Sequence, residues 1–197
     1  MWRLKFRSPT LVHLFPSPGS IIRISSFNYS KVMSTADEPT EVKETSFPLD
    51  TAAREILVLS CMDPRILPSP ARVLGLPAGA AFTVRNAGGR AAEAIRSIVV
   101  AQQLLTVKEI RVLHHTDCGL TKFRDDDLRA KLIADPPKPD VPITAAVQSL
   151  SFLAFDDLKQ SVLDDVAFLK EHPLVLAKSK VSGWIYDVYT GETTRVI

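Results

Sequence analysis

The amino-acid sequence predicts a single α/β domain, with a mostly parallel central sheet of about four strands, a carboxyl-terminal edge strand and flanking helices. Three observations predict it. Short apolar runs at 56–59, 81–84, 109–113 and 181–189 read as strands. Segments of helical periodicity separate them, the alternation that builds parallel sheets through right-handed crossovers. The 197 residues, 46% of them hydrophobic, suffice for one domain with its own core.

The elements follow in order. Residues 1–36 hold five basic side chains (Arg3, Lys5, Arg7, Arg23, Lys31) and no acid. Residues 1–35 therefore read as a targeting leader of mitochondrial type or a disordered tail. Met33 offers a second start, which would leave the protein cytoplasmic. Residues 36–50 are polar and read as a linker, and the domain spans 51–197. Asp50 or Thr51 is expected to cap a short helix running through Glu55. After the first strand, 66–77 holds three prolines and reads as irregular chain with a turn of helix. A second strand at 81–84 runs into Arg85-Asn-Ala-Gly-Gly-Arg90. A helix from about Ala91 to Leu105 carries a wide apolar stripe that includes Ala94, Ile98 and Ala101, as a helix packed on a sheet should. The strand at 109–113 comes next.

Residues 125–133 read as a short helix with an acidic start, which suits the helix dipole. The proline-rich segment 135–142 reads as a loop. Asp156 or Asp157 begins a helix with Val162, Val166 and Leu169 on one face, ending before Pro173. After the last long strand, Thr190-Gly191 turns the chain toward a short partner at 193–197.

Charge excludes some functions. The net charge is +2, but removing the leader's five basic residues leaves 19 basic against 22 acidic residues in 37–197, a net of −3. A mildly acidic body gives nucleic-acid binding little support. No apolar run approaches the roughly 18 residues of a membrane span.

The chemistry gathers at two strand ends. The chain has two cysteines, and each lies just past an apolar strand: Cys61 in Ser-Cys-Met-Asp-Pro-Arg65, and Cys118 in His114-His-Thr-Asp-Cys-Gly119. Open α/β sheets place their sites outside the carboxyl ends of strands. Cys61, His115 and Cys118 form a Cys2His set, the ligand set of a catalytic zinc site with one position open. Other readings stay open on spacing alone: a Cys61–Cys118 disulfide, two small buried thiols and a core histidine. His114 should point away from His115, because neighbouring strand residues face opposite sides. Asp117 is expected to bond backbone or a neighbouring histidine, with no catalytic role. Gly88, Gly89 and Gly119 are expected near the site, either lining a substrate pocket with exposed amides or allowing tight packing.

Cys61-Met-Asp-Pro-Arg65, Arg85-Asn-Ala-Gly-Gly89, His115-Thr-Asp-Cys-Gly119 and the ending at 181–191, in this order, resemble the short, compact branch of the β-class carbonic anhydrases. The resemblance covers roughly residues 50–197. It implies zinc-dependent, reversible hydration of carbon dioxide to bicarbonate and a proton, through a zinc-bound hydroxide. It implies one zinc per subunit, held by Cys61, His115 and Cys118, and a homodimer or dimer of dimers. The family's catalytic pair matches Asp63 and Arg65. One departure stands out: the long amino-terminal helical arm of other branches, which supplies a pocket glutamine, has no counterpart in the roughly fifteen residues before the first strand.

The residue types suit that chemistry. Two thiolates and a neutral imidazole bring a divalent ion to zero formal charge, so neighbouring groups must help ionise bound water. Asp63 can accept a hydrogen bond from that oxygen, and Arg65 can hold Asp63 ionised. Released from Arg65, Asp63 can take the fourth metal position, an inactive state. Taken alone, the pair is also what a surface ion pair at a turn looks like. Three rival functions remain: hydrolysis of carbon disulfide or carbonyl sulfide on the same scaffold, a non-catalytic closed zinc module with Asp63 as fourth ligand, and a thiol redox protein.

Overall fold

A computed structural model describes residues 54–197. The leader at 1–35, the linker at 36–50 and the cap at Asp50 or Thr51 fall outside the described residues. Arg54 and Glu55 are not helical.

Five strands form one sheet: β1 (Ile56–Cys61), β2 (Ala81–Asn86), β3 (Glu109–His115), β4 (Lys180–Tyr186) and β5 (Thr193–Arg195). Their spatial order is β2-β1-β3-β4-β5. The first four run parallel and β5 is antiparallel to β4, the four-plus-edge arrangement expected. The helices are α1 (Pro70–Val73), α2 (Ala91–Leu104), α3 (Asp125–Ala134), α4 (Thr144–Ser149) and α5 (Leu158–Glu171). The sequence pattern did not single out α4, a six-residue helix burying only Val147. Among the described residues, no helix is long and apolar enough to cross a membrane.

Two apolar clusters sandwich the sheet. Leu57, Leu59, Ile110 and Val112 pack with Ala94, Ile98 and Ala101 of α2 and Val166 and Leu169 of α5. On the other side Val58 and Leu113 pack with Ala71 of α1, Cys118, Leu120 and Tyr186. Gly183 of β4 lets α5 lie against the sheet, for a Cβ there would collide with Val162. The Asp157 side chain caps α5 by accepting a hydrogen bond from the Gln160 amide at 2.7 Å.

The strand order positions the site. From β1 the chain steps outward to β2, then crosses back through α2 to β3 on β1's other side. Crossovers thus leave β1 and β3 in opposite directions, opening a crevice at their carboxyl ends. Cys61 ends β1, and His115 ends β3.

Candidate metal centre

Alternation along β3 separates its two terminal histidines. His114 lies on the face of Ile110 and Val112, toward α5. Its Nδ1 is 2.8 Å from Ser161 Oγ, and its Nε2 is 3.3 Å from the Gly89 carbonyl and 3.2 Å from Asp165. Arg90 meets the other Asp165 oxygen at 3.4 Å and stacks over Phe155. The sequence pattern did not reveal this buried network, because Asp165 and Arg90 look like ordinary surface charges until the fold is known.

His115, on the opposite face, meets the two cysteines. One ligand atom each from Cys61, His115 and Cys118 lies within 4.8 Å of the others, and all three residues are buried. His115 Nδ1 is 2.9 Å from the Thr116 carbonyl, a contact that places the proton on Nδ1 and leaves a lone pair on Nε2. That Nε2 is buried and has no hydrogen-bond partner among the described residues. Both cysteines are free. The Cys118 thiol's hydrogen bond holds the Cys61 thiol below its usual range, against the cost of burial, with help from His115 and the backbone of Asp63 and Gly88. Cys118 is pushed up by its bond to Cys61 and by burial. Two sulfurs that resist joint ionisation and an orphaned imidazole nitrogen are the donor set a zinc ion satisfies, since a divalent cation favours both thiolates at once. The residues fit the metal.

Asp63 and Arg65 flank this cluster. Asp63 Oδ2 is 3.8 Å from His115 Nε2. Arg65 donates from Nε to Asp63 Oδ1 at 3.0 Å and from Nη2 to Oδ2 at 2.8 Å, and its backbone amide reaches Oδ1 at 2.8 Å. The Arg65 side-chain bond, outweighing burial, lowers the Asp63 carboxyl to about 2.

The sequence pattern assigned no role to one residue here and the wrong partners to another. Arg85, at the end of β2, donates to the Cys61 carbonyl at 3.0 Å and the Asp63 carbonyl at 2.6 Å, bracing the loop that carries both. The only signal was its place at the head of the Arg-Asn-Ala-Gly-Gly stretch. Asp117 is a correction. It bonds no histidine; its carboxylate takes hydrogen bonds from Arg65 Nη1 at 2.8 Å and Tyr189 Oη at 3.0 Å, and pairs with Lys122 Nζ at 2.8 Å. Arg65 and Tyr189 lie 52 and 72 residues away, so spacing could not reveal them.

A cavity of about 260 Å³ opens at the cluster, with Met62, Pro64, Ala87 and Leu120 supplying an apolar wall beside Asp63. Gly88 and Gly119 line it. A Cβ at Gly119 would meet nothing within 4 Å, so close packing does not require glycine there. Gly89 instead backs onto β1 with φ +71°, where a Cβ would sit 2.9 Å from the Cys61 nitrogen.

The carbonic anhydrase family model matches residues 56–193. Beta-carbonic anhydrase 1 of Mycobacterium tuberculosis is 32% identical over 145 residues, covering 73% of this chain and 83% of the relative. A carbon disulfide hydrolase of Saccharolobus solfataricus is 32% identical over 154 residues, covering 70% and 74%. Among solved structures, a carbonic anhydrase from Glaciozyma antarctica superposes with a TM-score of 0.65 at 38% identity, covering 78% of this chain and 98% of that one.

Proposed function

The chain belongs to the β-carbonic anhydrase family, and on that premise we propose that it hydrates carbon dioxide reversibly to bicarbonate and a proton. The observation that carries the reading is the partnerless, buried Nε2 of His115 beside two free thiols. Cys61, His115 and Cys118 would hold one zinc ion, which when bound would supply Lewis acidity that lowers the pKa of water from about 15.7 toward about 7.

The chain's own groups do the rest. Asp63 accepts an O–H at the mouth of the site and so orients the attacking oxygen's lone pair toward substrate. Arg65 keeps that carboxylate ionised and aimed. Arg85 holds the Cys61–Asp63 loop by its carbonyls. The apolar wall suits a small linear molecule without charge.

Stopped-flow carbon dioxide hydration from pH ~6 to ~9, with zinc measured in the same preparation, tests this. Hydration above buffer with about one zinc per chain is the expected result; none at any pH, in zinc-loaded protein, overturns it. A second reading has a specific observation behind it. The relatives include carbon disulfide hydrolases, and the apolar wall would also take carbon disulfide or carbonyl sulfide. Hydrogen sulfide release from carbon disulfide, without carbon dioxide hydration, would favour it. Assembly as a homodimer or dimer of dimers, and mitochondrial import through the acid-free leader, complete the proposal. Light scattering and the localisation of a full-length fusion read them out.

A further inference from the structure

We propose that Asp117 is a positioning residue: held by Lys122 and Tyr189, it fixes the Arg65 guanidinium and through it the carboxylate of Asp63. The inference rests on the function proposed above.

Arg65 is divided between two acids. Nε and Nη2 serve Asp63, while Nη1 donates to Asp117 Oδ2 at 2.8 Å and Nη2 also donates to the Asp117 carbonyl at 2.9 Å. The Arg65 side chain is 41% exposed. A guanidinium that exposed, with one partner, would trade that partner readily for water. The second anchor removes this freedom, because Arg65 cannot turn from Asp63 without also leaving Asp117.

Asp117 is itself held from three places in the chain. Arg65 follows β1, Lys122 follows the turn after Cys118, and Tyr189 follows β4. The backbone of Asp117 is left-handed at φ 54°, a conformation that aspartate and asparagine adopt more readily than most side-chain-bearing residues. From that turn the carboxylate reaches Arg65, Lys122 and Tyr189. The Asp63 carboxylate, 3.8 Å from His115 Nε2, needs such restraint, since a short swing would carry it into the site's open corner.

The test uses the zinc-loaded full chain and Asp117→Asn, which keeps the size and tolerates left-handed backbone. The Arg65 Nε–H resonance, assigned by its loss in Arg65→Lys, reports the guanidinium independently of turnover. We expect its exchange with water to quicken in Asp117→Asn, kcat/KM to fall about tenfold, and the acid limb of the pH–rate profile to move to higher pH, as removal of a supporting hydrogen-bond partner does. Tyr189→Phe and Lys122→Met should show smaller changes in the same direction, and they decide the question should Asp117→Asn not fold. Unchanged Arg65 exchange in these variants overturns the inference, even where activity falls. A wild type without hydration activity overturns the proposed function instead, and Arg65 exchange still decides the coupling.

Discussion

Nε2 of His115 lies 3.8 Å from Oδ2 of Asp63. Neither atom bonds the other. Among the described residues the imidazole nitrogen is without a hydrogen-bond partner, and the carboxylate is drawn toward Arg65. An acid and a candidate ligand nitrogen that close, with Arg65 holding the acid, make Asp63 the group on which turnover should depend most directly after Cys61, His115 and Cys118.

Asp63→Asn should therefore lower kcat/KM for hydration by about 10- to 100-fold while zinc content stays near that of wild type. The amide keeps the shape but loses the charge that Arg65 holds. Stopped-flow rates and elemental analysis on one preparation check it; zinc loss parallel to rate loss would mean that Asp63 serves metal retention.

His115→Ala and Cys118→Ser should each leave most of the protein without zinc after purification in chelator-free buffer, because three protein ligands are the minimum for a site of this type. Removing zinc from the wild type should lower its melting temperature, since a metal that binds the folded cluster more tightly than the unfolded chain stabilises the fold. Differential scanning fluorimetry with and without chelator reads the shift.

Gly89→Ala should destabilise the fold by about 1–3 kcal/mol. The residue has φ +71°, and a Cβ would press on the Ser60–Cys61 backbone at 2.9 Å. Because that backbone carries a metal ligand, zinc occupancy should fall with stability. Urea denaturation and zinc analysis measure both.

Asp165→Ala should cost about 3–5 kcal/mol, the range for breaking a buried ion pair from one side. The loss strands the Arg90 charge, whose Nε and Nη1 already lack hydrogen-bond partners among the described residues, and removes a neighbour of His114. Replacing Arg90 by Met in the same background should recover part of the loss, which denaturant midpoints will show.

Acid should weaken the tether at Asp125. Burial alone would raise this carboxyl, but hydrogen bonds from the amides of Ala154, Phe152 and Leu153 hold it below its usual range. A carboxyl lowered in the folded state stabilises above its unfolded pKa of about 3.9, and that contribution is lost as pH falls through the folded value. Asp125→Asn should therefore be less stable than wild type at neutral pH, with the gap closing below about pH 4. Equal stability at pH ~7 would refute the tether.

Much of this protein was legible without coordinates. Apolar runs of strand length alternating with helical periodicity named the sheet and its flanking helices, because burial of one face leaves a local signature. The two cysteines, each just past a strand, located the chemistry, because parallel sheets open at their carboxyl ends. Even the divergence of His114 from His115 followed from strand alternation.

What the sequence by itself determined was the set of elements and the donor types at their ends. The tertiary structure alone decided which of those ends meet and what braces them. Cys61 reaches His115 because β3 returns beside β1 rather than beyond β2. Arg85 clamps a loop 22 to 24 residues away. Asp117 joins Arg65, 52 residues distant, to Tyr189, 72 residues distant. The physical reason is range. Periodicity and turn chemistry act over a few residues and are written locally, whereas a contact across fifty residues exists only after the packed sheet has closed the intervening loops.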